Sequence, residues 1–332
     1  LSCWIHAVNP SLDLCNKASL MSKLTESAKG VYVIAPTPFD DCGAIDDGSI
    51  DTMVEFFLSA GADGLTIMGM MGEAEKLTQD ESVAVMTRVM AAVADRVPVI
   101  VGVSSPGLAS LVGLSRTAMD LGAAGVMVAP TPALRTDAQI KGYFATVADA
   151  LGPDTPFVLQ DFPLATGVRI DASVIIDIIR DHPSCVMLKH EDWPGLSKIT
   201  ALRKASDEGG RRISILCGNS GLFLPEEMAR GADGAMTGFA FPEMMIGVCR
   251  HAQAGDHDKA RDLFDAYLPM IRYESQPGLG LALRKHVLAH RGIIANAALR
   301  RPGPKLAPQD IAEIDTLLDR QAKRLAALNE EN

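Results

Sequence analysis

A short phrase of glycine and small residues occurs three times in this chain of 332 residues, at positions 61–65, 122–126 and 231–235. Each copy follows a segment of helical periodicity and precedes an apolar run, which is typical of a glycine that ends a helix before a strand. The copies lie 61 and 109 residues apart. These separations fit two and four helix–strand units of about 27 to 30 residues each. The phrase therefore predicts one helix–strand unit repeated along most of the chain.

Eight apolar runs complete this pattern. They cover residues 31–35, 65–68, 97–103, 126–129, 157–160, 186–189, 213–217 and 235–237. Amphipathic segments alternate with them, for example 49–60, 79–94, 108–121 and 172–181. Eight such units predict an α/β fold of the (β/α)8 TIM barrel type. An open, doubly wound sheet is the rival, but neither a GxGxxG nor a GxxxxGKS/T loop follows the first run.

The pattern divides the chain into three parts. Residues 1–28 lack a basic stretch followed by an apolar core, so they do not predict a signal peptide. We expect this segment, and residues 1–20 above all, to be disordered or an over-extended start. Residues 29–238 are predicted to form the barrel. Residues 239–332 are too many for one barrel helix, so they predict that helix and a C-terminal helical extension, with helices at 243–254, 257–272, 279–291 and 308–328.

Composition and charge exclude several kinds of partner. The formal net charge of −10 argues against nucleic acid and against anionic membrane surfaces, although it permits an anionic substrate. The six cysteines show neither CxxC nor Cys–His spacing, so they predict reduced thiols in the cytoplasm, not a disulfide framework or a zinc site. No apolar run is long enough for a membrane span, and no motif indicates a metal or an organic cofactor.

The most informative pair of residues follows the sixth apolar run. In TIM barrels the catalytic residues stand at the carboxyl ends of the strands, which is where Lys189 falls. Residues i and i+2 of a strand share a face, so Lys189 and Glu191 are predicted to face one substrate while His190 faces away. Only a neutral amine attacks a ketone, and a dry pocket favours the neutral form of a lysine. The pair therefore predicts imine chemistry; a strand end that runs out into solvent is the alternative.

Four segments, 35–39, 69–73, 160–163 and 187–189, resemble the dihydrodipicolinate synthase/N-acetylneuraminate lyase family of class I aldolases and dehydratases. The resemblance extends from Gly30 to the C-terminal helices. It implies that Lys189 is the Schiff-base lysine. It also implies that the loop after the second strand, with Met70 and Met71, presents backbone N–H groups to the carboxylate of a 2-keto acid. Members of the family are commonly homotetramers, so a homo-oligomer is implied as well.

Several residues depart from the usual pattern of this family. Met70 and Met71 stand in place of two threonines, and Gln160 and Asp161 stand in place of a tyrosine–asparagine pair. Residues 130–132 lack the second tyrosine, and residues 164–165 lack the arginine that binds the aldehyde substrate in dihydrodipicolinate synthases. The Gln-Asp pair and the Lys-x-Glu motif are similar to L-2-keto-3-deoxyarabonate dehydratases, whereas the loop after the second strand does not match that subgroup.

The preferred hypothesis is a lyase that dehydrates a 2-keto-3-deoxy sugar acid. Lys189 would form the imine, Glu191 would act as acid and base, and Gln160 would hold the substrate or a water. One alternative is a pyruvate-dependent aldolase or a 4-hydroxy-tetrahydrodipicolinate synthase-like enzyme, and another is a catalytically inactive keto-acid binding protein. Glu73 is expected to cap the next helix. Further substrate contacts are predicted after strands 5, 7 and 8, at Asp161, Gly218, Asn219 and Thr237, with turn or helix capping as the alternative role of Asp161 and Asn219.

Overall fold

The computed structural model describes residues 23–193 and 195–331, except for the side chains of residues 329 and 331. Eight parallel strands pair in sequence order, and the eighth pairs with the first, so the sheet closes into a barrel. The predicted TIM barrel is thereby confirmed. The strands are β1 (Gly30–Ile34), β2 (Gly64–Ile67), β3 (Val99–Gly102), β4 (Gly125–Val128), β5 (Phe157–Asp161), β6 (Cys185–His190), β7 (Ser214–Cys217) and β8 (Gly234–Ala235).

Helices alternate with the strands and surround them. They are α1 (Asp47–Ala60), α2 (Gln79–Val93), α3 (Leu108–Asp120), α4 (Asp137–Leu151), α5 (Pro163–Thr166), α6 (Ala172–Asp181), α7 (Leu196–Asp207), α8 (Leu224–Ala229), α9 (Pro242–Gln253), α10 (His257–Glu274), α11 (Gly280–His290) and α12 (Pro308–Glu331). Within the described ranges, no helix is both long enough and apolar enough to cross a membrane.

The repeated phrase has a physical role at the amino end of the barrel. Its first glycine is left-handed in every copy, a conformation that ends a helix and that only glycine adopts without strain. The φ angles are 95° at Gly61, 93° at Gly122 and 92° at Gly231. In two copies an aspartate follows and accepts from the backbone of the preceding strand: Asp63 binds the Val31 N–H at 2.8 Å, and Asp233 binds the Ile215 N–H at 2.9 Å. The phrase therefore joins neighbouring strands as well as ending helices.

Two apolar layers hold the barrel together. The larger lies between the strands and the surrounding helices, and the smaller fills the barrel interior with residues such as Tyr32, Ile100 and Leu216. Leu24 belongs to the inner layer, and its N–H donates to the Ala124 carbonyl at 2.8 Å. Described structure thus begins before the predicted boundary at residue 29. Residues 1–22, on which most of the predicted disordered segment falls, lie outside the described residues.

The last three helices, α10 to α12, form the extension that the length of the C-terminal part predicts. Helix α12 packs beside α10, where the Tyr273 hydroxyl donates to Glu313 at 2.6 Å. Helix α11 lies nearer the barrel, and two of its consecutive side chains, Arg284 and Lys285, are buried. The extension therefore reaches the loops at the carboxyl end of the strands.

Candidate active site

Lys189, Glu191 and Gln160 form one buried hydrogen-bonded group at the carboxyl ends of β5 and β6. Lys189 pairs with Gln160 in strand register, and both side chains are almost fully buried. The Lys189 Nζ lies 2.9 Å from Glu191 Oε2, and Gln160 Nε2 donates to the same oxygen at 2.7 Å. The structure therefore brings together the three residues that the sequence predicts to be catalytic. A buried ammonium and carboxylate in this contact compensate each other's charge.

Glycine at the end of β7 makes room for the Glu191 side chain. A Cβ added to Gly218 would lie 2.1 Å from Glu191 Cγ, so a larger residue at this position would force the Glu191 side chain to move. The Gly218 N–H in turn donates to the His190 carbonyl at 2.8 Å. Gly218 thus determines where Glu191 lies, through its missing side chain.

The turn after Gly218 adopts an unusual backbone. Asn219 and Ser220 have φ angles of 50° and 57°, in the left-handed region, where non-glycine residues cost about 1 to 3 kcal/mol each. Asn219 Nδ2 donates to the Glu191 carbonyl at 3.1 Å, and the Ser220 N–H donates to Thr237 Oγ1 at 2.8 Å. The predicted residues Asn219 and Thr237 therefore hold this strained turn against β6 and β8.

Asp161 lies next to this group but on the outer side of the barrel wall. Asp161 is fully buried. Lys198 Nζ lies 2.6 Å from Asp161 Oδ2 and 2.8 Å from Asp192 Oδ2, so this ammonium bridges the two carboxylates. Burial raises the pKa of Asp161 to about 6, and the Lys198 ammonium opposes this shift. Burial lowers the pKa of His190 to about 4, so its imidazole is neutral near pH 7. The sequence placed Asp161 among the substrate contacts, whereas its described partner is Lys198.

The loop after β2 presents the two predicted methionines in different settings. Met70 is 41% exposed, and Met71 packs against the apolar interior of the barrel. They begin a 3-10 turn, Met70–Gly72, in which the Thr37 hydroxyl donates to the Gly72 carbonyl at 2.6 Å. The first N–H groups of a helical turn have no partner within it. Those of Met70 and Met71 are thus free of the turn's own hydrogen bonds.

The expected capping role of Glu73 is wrong. The next 3-10 turn, Ala74–Lys76, has no side-chain cap, and Glu73 itself adopts φ 53°. Its carboxylate is buried and binds Lys285 Nζ at 2.7 Å and Lys76 Nζ at 2.9 Å. A buried carboxylate needs a cation, and Lys285 is the closest one that the fold supplies. Sequence spacing gave no signal for this pair, because its members are 212 residues apart.

A closed barrel with a buried lysine–glutamate pair at the carboxyl end of its sixth strand defines a TIM-barrel enzyme. Residues 27–321 match the Dihydrodipicolinate synthetase family, and the chain belongs to that family and is a lyase. It is similar to an L-2-keto-3-deoxyarabonate dehydratase of Azospirillum brasilense, with 32% identity over 300 residues, 89% of this chain and 95% of that protein. It is also 32% identical, over 304 residues, to a 4-hydroxy-tetrahydrodipicolinate synthase of Thermus thermophilus, and this match covers 89% of this chain and 96% of that protein.

A solved structure supports the same assignment. A dihydrodipicolinate synthase from Rhodopseudomonas palustris superposes with a TM-score of 0.88 and 53% identity, covering 90% of this chain and 99% of that one. The names of these relatives divide between a dehydratase of a keto-deoxy sugar acid and a synthase. Membership of the family therefore leaves the particular reaction to the residues of the site.

Proposed function

We propose that this protein dehydrates a 2-keto-3-deoxy sugar acid, similar to L-2-keto-3-deoxyarabonate, through an imine on Lys189. The single observation that carries the proposal is the contact of Glu191 Oε2 with both Lys189 Nζ and Gln160 Nε2. This contact gives the amine a proton acceptor before the imine forms. It also leaves the same carboxylate beside the carbons next to the imine afterwards.

Imine formation begins with the 2.9 Å contact between Lys189 and Glu191. Glu191 accepts a proton from the ammonium, and the neutral amine attacks C2 of the keto acid. Glu191 returns the proton to the hydroxyl formed at C2, which leaves as water, so that a protonated imine and a Glu191 carboxylate remain. Its positive charge withdraws electrons from C3 and makes the C3 hydrogens acidic.

Elimination follows from the position of Glu191. The carboxylate removes one C3 proton, the C3–C4 double bond forms, and the C4 hydroxyl leaves as water after taking a proton from the same carboxyl. Hydrolysis of the imine then releases the product, so the net change is the loss of one water from the substrate. Gln160 orients Glu191 through its amide N–H and, being an amide, does not exchange protons itself.

Elimination is favoured over carbon–carbon cleavage because no phenol is hydrogen-bonded to the site in the part of the chain that the structure describes. Among the described hydrogen bonds, Lys189, Glu191 and Gln160 have none with a tyrosine. Tyr143 reaches the carboxyl end of β4, but its hydroxyl donates to the Ala129 carbonyl at 3.1 Å. The similarity to the Azospirillum brasilense dehydratase agrees with this reading.

The substrate carboxylate is assigned to the loop after β2. The N–H groups of Met70 and Met71 open a helical turn, and such N–H groups bind anions. The buried Glu73–Lys285 pair supports this loop from below. We infer further that the protein acts in the cytoplasm. We also infer that it forms a homo-oligomer, a tetramer by resemblance to its family, and light scattering measures this oligomeric state.

The variant Glu191→Gln tests the proposal. Turnover of 2-keto-3-deoxy-L-arabonate should fall by about 10²- to 10⁴-fold, the usual contribution of a general acid–base. Lys189→Ala should abolish turnover altogether. Glu55→Gln, an exposed glutamate on α1, is the matched control and should behave as the wild type. Full activity of Glu191→Gln would refute the assigned role.

An aldolase is the second candidate, because a relative of equal identity is named as a 4-hydroxy-tetrahydrodipicolinate synthase. The same imine would then form, but Glu191 would take the proton of the C4 hydroxyl and the C3–C4 bond would break. Product analysis separates the two, since elimination retains five carbons and cleavage gives pyruvate. A keto-acid binding protein would give neither product.

A further inference from the structure

Arg284 brings a guanidinium from the C-terminal extension to the carboxyl end of the barrel. It lies on α11, is 3% exposed, and its Nε donates to buried Glu274 Oε1 at 2.5 Å. Its Nη2 lies 3.4 Å from Ser220 Oγ, in the strained turn after β7. The same turn contacts the Glu191 carbonyl through Asn219. Arg284 and Glu191 therefore flank one turn of the barrel mouth.

A glycine makes room for Arg284 in the same way that Gly218 makes room for Glu191. A Cβ added to Gly238 would lie 2.1 Å from Arg284 Nη1 and 3.1 Å from the Ile34 carbonyl oxygen. Gly238 follows β8, and Ile34 ends β1, so the guanidinium lies between these two strand ends. Each charged side chain thus occupies space that a missing side chain provides at a strand end.

The guanidinium is incompletely satisfied. Among the described residues, Arg284 Nη1 is buried and has no hydrogen-bond partner. The Nη2 contact with Ser220 is at the upper limit of a hydrogen bond. Leaving donors of a buried charged group without partners is costly, and folded proteins retain such groups where a ligand or water completes them.

Charge decides which ligand suits this donor. Glu274 offsets the positive charge of Arg284, and its other oxygen accepts the Ala240 N–H at 3.1 Å. A second anion at Nη1 would therefore meet a nearly compensated pair. A neutral hydroxyl oxygen accepts a hydrogen bond from Nη1 without adding charge to the buried site.

We propose that Arg284 is a specificity-determining, substrate-binding residue that donates to a hydroxyl beyond C4 of the keto acid, at the part of the barrel mouth formed by the turns after β7 and β8. This inference rests on the proposed function. The substrate hydroxyl binds the edge of the guanidinium that carries Nη1 and Nη2, in exchange for the long Ser220 contact. The Arg284 donor thereby selects hydroxylated keto acids over shorter or deoxygenated ones.

Two substrates that differ only in that hydroxyl provide the test. 2-Keto-3-deoxy-L-arabonate carries hydroxyls at C4 and C5, whereas 4-hydroxy-2-oxopentanoate keeps the leaving C4 hydroxyl and lacks the one at C5. The wild type should prefer the first by about 10- to 100-fold in kcat/KM, the range of one hydrogen bond to a charged donor. A wild type without preference would overturn the inference with no need of a variant.

Arg284→Lys then assigns the preference. Lysine retains a charge for Glu274 but lacks the Nη1 donor, so the preference ratio should fall by about tenfold or more, mainly through KM. Arg291→Lys, the same change at the carboxyl end of α11 where Arg291 pairs with Glu243, should keep the wild-type ratio. If circular dichroism shows that Arg284→Lys is unfolded, the double variant Arg284→Gln/Glu274→Gln removes both charges together and serves the same measurement.

The outcomes separate this inference from the proposed function. If the wild type is active and the folded Arg284 variant keeps the same preference ratio between the two substrates, the inference about Arg284 is overturned. The Lys189 chemistry is then left intact. An equal loss of activity on both substrates would show a purely structural role for Arg284, which also overturns it. If the wild type turns over neither substrate and forms no adduct with pyruvate and borohydride, the proposed function fails, and the inference fails with it.

Discussion

Glu227 makes the stability of this barrel depend on pH. It lies on α8, is 5% exposed, and packs behind β7, where its described partner is the Cys217 thiol. Burial raises the pKa of its carboxyl from 4.5 to about 8. Because the folded-state pKa lies above the unfolded one, its contribution to stability is fully present below pH 4.5 and is lost as the pH rises through 8.

The magnitude follows from the two pKa values. Each pKa unit is worth about 1.4 kcal/mol. The free energy of unfolding of the protein should therefore fall by roughly 3 kcal/mol between pH 5.5 and pH 8 as the Glu227 carboxyl ionises. This is an upper limit, since α8 can shift to hydrate the carboxylate. Glu227→Gln keeps the shape and removes the titration. Over this pH range the free energy of unfolding of the Glu227→Gln variant should therefore fall by about 3 kcal/mol less than that of the wild type.

Urea unfolding at several values between pH 5.5 and pH 8 measures this difference. Glu55→Gln, which changes an exposed glutamate on α1, is the matched control and should keep the wild-type pH dependence. Parallel curves for the wild type and Glu227→Gln would refute the raised pKa and the burial argument behind it.

Three further substitutions probe the framework of the site. Gly218→Ala should cut turnover by about 10²-fold or more and slow pyruvate trapping as well, because its Cβ displaces Glu191, which serves both imine formation and elimination. A steady-state assay with retained turnover would contradict this. Lys285→Met should destabilise the fold by about 3 to 5 kcal/mol in urea unfolding, since it leaves Glu73 buried with one cation fewer. An unchanged unfolding midpoint would contradict the buried ion pair. Leu24→Ala should lower the free energy of unfolding by about 2 to 4 kcal/mol in the same measurement, because it opens a cavity in the inner apolar layer. A decrease below about 1 kcal/mol would contradict that packing.

The fold could be predicted because each of its elements is local in sequence. Predicted helix 172–181 coincides with α6, and helix 79–94 exceeds α2 by one residue. The last strand was the least accurate: residues 235–237 were predicted, and β8 is Gly234–Ala235. After Ala235 the chain leaves the sheet ladder, which apolar character alone does not reveal. The periodicity of apolar residues thus predicted which helices and strands exist, whereas the hydrogen-bonded pairing of the strands fixed the residues at which they end.

The site divides in the same way. Lys189 lies in β6 and Glu191 directly follows that strand, so their contact followed from the two-residue period. The partners of Asp161 and Glu73 are side chains on distant helices, Lys198 and Lys285, which local spacing cannot bring together. A signal did exist in α11, where two consecutive cations interrupt an otherwise apolar face, and its meaning depended on the carboxylates that the fold places opposite them.

The imine on Lys189 is the central claim, and one trapping measurement tests it most directly. The protein is mixed with 2-keto-3-deoxy-L-arabonate, reduced with borohydride and weighed as an intact chain, and the adduct is then located by peptide mapping. The account predicts a dehydrated five-carbon adduct on Lys189. A pyruvate-sized adduct would show an aldolase instead, and the absence of any adduct, with pyruvate also failing to trap, would contradict the imine mechanism.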